Sequence, residues 1–272
     1  MSSACANADT YTYPAATAAT DAKSVPEISI VIPCFMEEDY LEDSVAQLTT
    51  TLEEMGCSYE LIFIDDKSTD STPNIIKRLV DNHPHRRAVY HEKNIGRGGT
   101  VTEGFLLATG RIVGFLDIDL EVHCRFIPSM LEAIGSGADG ATAFRKYNVG
   151  WRPGAWIRHL LSSGYRRLSK MLFEIPFHDT ETGFKFFVRE KIIDISKRTK
   201  DVGWFWDSEI MILSHQAGLK IAEVPCRFER RTGATSTVRI FRDIWAYLVA
   251  IRRFRKRQRS EAESQHTQLS SK

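Results

Sequence analysis

Two carboxylates separated by one residue, Asp117 and Asp119 in Phe115-Leu-Asp-Ile-Asp-Leu-Glu121, are the part of this chain best suited to chemistry. The residues before them, Arg111 to Phe115, read as an apolar strand that delivers both acids to its end. Carboxylates so placed suit a hard divalent cation such as Mg²⁺ or Mn²⁺, and such a cation can hold a diphosphate. On spacing alone the pair also reads as a solvated turn, so its surroundings have to decide.

Three further groups carry chemical potential. Asp65-Asp66-Lys-Ser-Thr-Asp70 offers carboxylates that serve either as turn and cap residues or as acceptors for a nucleobase edge. Asn94-Ile-Gly-Arg-Gly-Gly99 is a glycine loop before a helix, where backbone amides approach phosphates closely and Arg97 adds positive charge. A dinucleotide-binding loop would follow the first strand, whereas this one follows the third. Asp179 in DTETGF and Asp207 and Glu209 in GWFWDSEI are candidates for a general base.

The elements that must position these groups alternate. Ile28 to Pro33 is a short β-branched run typical of a buried parallel strand. Asp39 to Met55 reads as a helix on Leu41, Val45, Leu48 and Leu52. Glu60 to Ile64 is a second strand, with Ser71 or Thr72 capping the helix that follows and Pro73 in its first turn. Ala88 to His91, Thr100 to Thr109 and Arg111 to Leu116 give strand, helix, strand. This order predicts an α/β fold whose sheet is parallel and carries helices on both faces, with ligands bound beyond the carboxyl ends of the strands. Pro33, Asp66, Asn94 and Asp117 all fall at those ends.

Farther along, Trp151 to Phe173 reads as a basic amphipathic helix. Phe184 to Val188 and Ile221 to Phe228 read as strands, with a helix through Ile210 to Ala217 between them that Gly218 ends. Val238 to Phe254 is a last helix, running into a segment from Arg252 to Arg259 in which six of eight positions are Lys or Arg. The chain of 272 residues has a formal charge of +1, which argues against nucleic acid as a partner. Its five cysteines form no Cys-x-x-Cys pair and read as reduced thiols of a cytoplasmic protein. No segment reaches the roughly 18–20 apolar residues of a membrane span.

In order along the chain, VIPCFMEE, IDDKSTDST, NIGRGGTVTEG, FLDIDLE and DTETGFKFF resemble the phrases of glycosyltransferase family 2, most of all its dolichol- and polyprenol-phosphate mannose and glucose synthases. The likeness covers about Ile28 to Ile240. It implies a GT-A fold, a Rossmann-like and mainly parallel sheet flanked by helices, here with a C-terminal amphipathic helix. By the same resemblance Pro33, Phe35 and Glu37 line a nucleoside pocket, with Phe35 and Met36 standing where the family has Tyr and Asn. Ile64 and Asp66 match the nucleobase contacts, and Arg97 the basic residue of the glycine loop. Asp117, Ile118 and Asp119 match the metal–diphosphate phrase, and Glu121 occupies a third ligand position. Arg145 matches an arginine near the donor sugar, and Arg230 the phosphate-binding arginine of a phrase whose usual Lys is here Ser236. The Gln-x-x-Arg-Trp phrase of processive polysaccharide synthases is absent.

The implied activity is an inverting, Mg²⁺- or Mn²⁺-dependent transfer of a hexose from a nucleotide diphosphate sugar to a polyprenyl phosphate, with Asp119, Arg145 and Asp207 at the reacting centre. A phosphate monoester is ionised at neutral pH, with a second pKa of about 6, and attacks with little base assistance. A sugar hydroxyl would instead need Asp207 or Asp179 as base. A third possibility is a silent nucleotide- or lipid-binding subunit. The expected organisation is a tail over residues 1–25, the transferase domain over 26–236, a basic helix over 237–258 and a second tail over 259–272. The basic helices suggest peripheral contact with a cytoplasmic membrane face, direct or through a membrane partner.

Overall fold

The computed structural model describes residues 25–146, 173, 175–229, 247–260 and 263. Seven strands form one sheet: β1 (Ile28–Cys34), β2 (Tyr59–Asp65), β3 (Arg86–Tyr90), β4 (Ile112–Leu116), β5 (Gly140–Lys146), β6 (Phe184–Val188) and β7 (Ile221–Arg227). Their spatial order is β3-β2-β1-β4-β6-β5-β7. The sheet is mainly parallel, as expected, with one antiparallel strand. β6 runs antiparallel to both β4 and β5, while β1 to β4 are mutually parallel and β5 is parallel to β7. Because Leu116 is paired with Phe184, the start of β6 meets the carboxyl end of β4. The segment before β6 is thereby delivered to the acidic pair.

The helices are α1 (Leu41–Met55), α2 (Thr72–Val80), α3 (Arg97–Leu107), α4 (Ile127–Gly135), α5 (Arg189–Arg198) and α6 (Trp206–Gln216), with a further helix, α7, over residues 247–260. Three starts differ from expectation in ways that matter. α3 begins at Arg97, three residues early, so the glycine loop and the first turn are continuous. α6 begins at Trp206 and not near Ile210, which puts Asp207 and Glu209 in a buried first turn. The acceptor at the start of α2 is Asp70, whose Oδ1 takes the Thr72 amide at 3.0 Å, and not Ser71. Gly218 closes α6 as expected, in the left-handed region with φ 77°.

Alternation along β1 splits the core between the two faces. Ile28, Ile30 and Ile32 join Leu41, Leu48 and Leu52 of α1 and Met130 and Ile134 of α4 on one side. Val31 joins Phe105, Phe115, Trp206 and Ile210 on the other, where Ile251 and Phe254 of α7 are also buried. Trp206 meets Phe105 and Phe115 edge-on at 6.0 and 5.4 Å, a geometry worth about 0.5–1.5 kcal/mol per pair beyond area burial. Cys34, Cys57, Cys124 and Cys226 are buried free thiols. The Trp151–Phe173 helix, apart from Phe173, lies outside the described residues, as do Arg230, Ser236, both expected tails apart from residues 25, 259, 260 and 263, and the first part of the last helix. Among the described residues no helix is long and apolar enough to cross a membrane.

Candidate active site

The loops after β1 and β2 are zipped together. Met36, at φ 61°, donates its amide to Ser68 Oγ at 2.9 Å, and its sulfur accepts from the Thr69 amide at 3.4 Å. Glu37 N–H donates to Thr72 Oγ1 and Ser71 N–H to Glu38 Oε2, each at 2.8 Å. Pro33 lies half-buried at the strand's end, and the Phe35 side chain stands 51% exposed. An exposed ring on a rigid loop is a stacking surface for a planar ligand. Ile64 and Ile118, by contrast, are packed into the two cores, so only their backbone can face a ligand.

Asp66 is turned to its own protein. Its carboxylate accepts from the Ile95 and Gly96 amides at 2.8 Å each and lies 2.8 Å from His91 Nδ1, while its carbonyl takes Asn94 Nδ2 at 3.0 Å. The glycine loop is thus hung from Asp66, each of whose carboxylate oxygens accepts one loop amide. Gly96 is required there: its φ is 90°, and a Cβ would fall 2.4 Å from the Val202 carbonyl oxygen. His91 Nε2 faces Glu103 at 2.8 Å, so both ring nitrogens address carboxylates, which the doubly protonated ring satisfies. Burial alone would lower the His91 pKa, but hydrogen bonds and charge from Asp66 and Glu103 outweigh it and raise it above the ordinary 6.5. A raised folded-state pKa gives stability that is complete below the unfolded value and lost as pH climbs through the folded one. Wild type should therefore lose thermal stability between pH 6.5 and the raised His91 value relative to His91→Gln; parallel melting curves of the two across that range would contradict this assignment.

The acidic turn at the end of β4 is held from both sides. Asp117 N–H donates to the Gly183 carbonyl at 2.9 Å, Leu120 turns back at φ 53°, and Asp119 Oδ1 accepts the Glu121 amide at 3.1 Å. Arg97 reaches Asp117 Oδ1 with Nε at 2.8 Å and Nη2 at 2.7 Å, and reaches Asp207 Oδ2 with Nη1. Its guanidinium lies over the Phe115 and Trp204 rings at 5.3 and 5.5 Å. Asp207 Oδ1 takes Lys185 Nζ at 2.7 Å, and Lys185 also donates to the Thr182 carbonyl. Lys185 is fully buried and Asp207 only 2% exposed. Burial pulls the lysine pKa below its ordinary value, against the attraction of Asp207. Asp117 keeps 36% of its side chain exposed. Enclosure nevertheless pushes its carboxyl up to about 6, with Arg97 opposing and Asp119 and Asp207 adding to the rise.

Lys185 was not singled out from sequence, although a lone lysine in Phe184-Lys-Phe-Phe-Val188 is the mark of a buried pair. A second pair lies beyond it. Arg145, at the end of β5, grips Asp179 through Nε at 2.6 Å and Nη2 at 2.9 Å, with Glu181 at 3.9 Å. Burial would raise the Asp179 pKa; the arginine outweighs it and holds the carboxyl below its ordinary range. Thr180, Ser208 and Tyr247 link this loop to α6 and α7 by hydroxyl contacts of 2.9 and 2.6 Å.

The donor set suits a hard cation, with one revision. Asp117 and Asp119 share one turn, but among the described residues no three His, Cys, Asp or Glu side chains gather into a metal-holding group. Glu121 does not complete a protein cage. Mg²⁺ characteristically takes one or two carboxylates and fills its shell with water and substrate phosphate, which is what an Asp-x-Asp turn with one outward side can provide.

Comparison with known proteins bears on this geometry. The model of glycosyl transferase family 2 matches residues 29–196. The glycosyltransferase AglD of Haloferax volcanii is 30% identical over 226 residues, covering 80% of this chain and 35% of that protein, so this chain spans about a third of it. The dolichyl-phosphate beta-glucosyltransferase of Saccharomyces cerevisiae is 27% identical over 262 residues, covering 85% of this chain and 78% of that protein. Among solved structures, glucosyl-3-phosphoglycerate synthase of Mycobacterium tuberculosis with Mg²⁺ and uridine diphosphate superposes with a TM-score of 0.57 at 20% identity, over 79% of this chain and 74% of that one. That likeness shows the GT-A fold.

Proposed function

This chain belongs to glycosyltransferase family 2 and is a glycosyltransferase, and from that premise we propose that it moves glucose or mannose from a nucleotide diphosphate sugar to a polyprenyl phosphate, with inversion and with Mg²⁺ or Mn²⁺. The observation that carries this reading is the state of the two carboxylates expected to serve as base. Asp207 is buried with one oxygen on Lys185 and the other on Arg97. Asp179 is fully buried and gripped by Arg145 at two atoms. Both are positioning residues, and a site whose nearby acids are so committed suits a nucleophile that arrives already ionised. The name of the yeast relative, a dolichyl-phosphate beta-glucosyltransferase, points the same way.

In this reading the Phe35 ring stacks on the nucleobase, and the Asp66-hung loop presents Arg97 toward the diphosphate. Asp117 and Asp119 would hold the cation, which when bound supplies positive charge for the departing diphosphate. Arg145, braced by Asp179, stabilises charge on the sugar side. Arg230, outside the described residues, is assigned to the acceptor phosphate. Glu181 is a partly exposed acid 3.9 Å from Arg145, and Glu181→Gln should leave transfer to a lipid phosphate essentially intact; loss of turnover there would favour a hydroxyl acceptor. Incubation with uridine diphosphate glucose or guanosine diphosphate mannose and polyprenyl phosphate, read by product mass, identifies the donor; no glycolipid from either would sink the proposal.

Gly183 supplies a sharper test of the turn. A Cβ there would lie 1.7 Å from Asp117 Oδ2 and 2.6 Å from Arg97 Nη2. Gly183→Ala should therefore displace the first metal carboxylate, reducing turnover on the order of a hundredfold for about 1–3 kcal/mol of stability. Unchanged turnover would show that Asp117 need not hold this position.

Membrane contact belongs to the same reading. α7 spends Ile251 and Phe254 on the core and leaves Arg252, Arg253, Lys256 and Arg259 exposed. The helix meets anionic headgroups by charge, at about 1 kcal/mol per residue near the surface, and not by apolar insertion. Sedimentation with anionic vesicles should weaken steeply as salt is raised; equal binding to neutral vesicles would contradict it.

A further inference from the structure

We propose that Arg97 is a built-in counter-cation for Asp117 that makes capture of the divalent cation depend on the nucleoside diphosphate. The inference rests on the metal reading of the Asp117–Asp119 turn and goes beyond it. Four observations carry it. Arg97 spends two of its donors on one oxygen of Asp117, at 2.8 and 2.7 Å. The other oxygen occupies the space a Cβ on Gly183 would fill, so the carboxylate is packed between Gly183 and the arginine. Arg97 is itself fixed from behind by Asp207, which Lys185 holds in turn. Its guanidinium also lies over the Phe115 and Trp204 rings at 5.3 and 5.5 Å.

Charge then decides the order of events. Lys185, Asp207, Arg97, Asp117 and Asp119 carry two positive and three negative formal charges, so these five side chains together carry one net negative charge. A divalent cation entering alone overshoots that charge and must compete with a guanidinium that cannot retreat. A cation entering with a diphosphate brings its own anions, and the same guanidinium then has phosphate oxygens to face as well as Asp117. The arginine that weakens the empty site for metal strengthens the loaded one. Such coupling keeps free metal from occupying the turn in an unproductive state and makes donor and metal arrive as one unit.

Mn²⁺ binding followed by electron paramagnetic resonance, with and without uridine or guanosine diphosphate, tests this without turnover. Wild type should bind Mn²⁺ at least tenfold more tightly with nucleoside diphosphate than without. Arg97→Met should raise the nucleotide-free affinity about tenfold and collapse that ratio, while Arg97→Lys, which keeps the charge, stays near wild type; melting curves confirm that each variant folds. If Arg97→Met unfolds, Arg97→Lys and Arg97→Gln are compared in its place. Wild type that binds Mn²⁺ with nucleotide, beside a neutral variant with no nucleotide-free gain, overturns the inference alone. Wild type that binds no Mn²⁺ under any condition overturns the metal reading and the inference with it.

Discussion

Asp119→Ala should abolish sugar transfer in a protein that still folds. The separation follows from what Asp119 does in the structure. It is half-exposed, and its one hydrogen bond within the turn is from the Glu121 amide at 3.1 Å. Losing that bond costs about 1 kcal/mol. The turn itself is kept by the Leu120 amide on the Asp117 carbonyl and by the Asp117 amide on Gly183. Asp117 is already shared with Arg97, so Asp119 is the carboxylate with most to give a cation. A metal clamp on a leaving group contributes several kcal/mol, and its loss lowers the rate on the order of a thousandfold or more. Calorimetry with Mn²⁺ and nucleoside diphosphate should show the matching loss of metal-coupled binding. Retained turnover that no longer responds to metal would remove the clamp from the mechanism.

Lys185→Met carries the largest expected cost in stability, about 3–5 kcal/mol. The lysine is fully buried, and its removal leaves Asp207 held by Arg97 alone in a dry interior. A pair this deep is not itself a large source of stability, since burial already pulls the Lys185 pKa down; breaking it is what is expensive. The melting temperature should fall by roughly 10 °C at this chain length. Because Asp207 and Lys185 touch, their effects should not add: Lys185→Met with Asp207→Leu should recover part of the loss. The double variant should still transfer poorly, because Arg97 loses its rear support. Recovery of full turnover along with stability would mean that Asp207 positions nothing.

The strand and helix alternation of the first half was legible because each element carries its own signal: β-branched runs in β1 and β2, and leucines at helical spacing in α1. The order of the chemical phrases was legible too, and the structure brings Asp66, Arg97, Asp117, Asp207 and Arg145 to one edge of the sheet. Three elements fall outside that alternation. β5 opens with Gly140-Ala-Thr-Ala, whose small side chains give little apolar signal although all four are buried. α5 shows few apolar positions, with Ile192 and Ile195 its buried hydrophobics. α4 is readable in Ile127, Met130, Leu131 and Ile134, at helical spacing around Pro128. The direction of β6 was not legible, since five apolar-rich residues read alike either way. Nor were the roles of Asp66 and Asp207: a carboxylate in a motif looks the same whether it faces a ligand or is spent on a loop amide or a buried lysine. Those assignments depend on partners up to 110 residues away.

In the proposed reaction this site accepts a nucleophile that needs no base. Presenting one polyprenol to the enzyme in two forms, as its phosphate and as its free alcohol, with the same nucleotide sugar and Mn²⁺, separates the two kinds of acceptor. Mass spectrometry should find the hexose on the phosphate alone. Transfer to the alcohol, or to a glycan hydroxyl, at a comparable rate would contradict it.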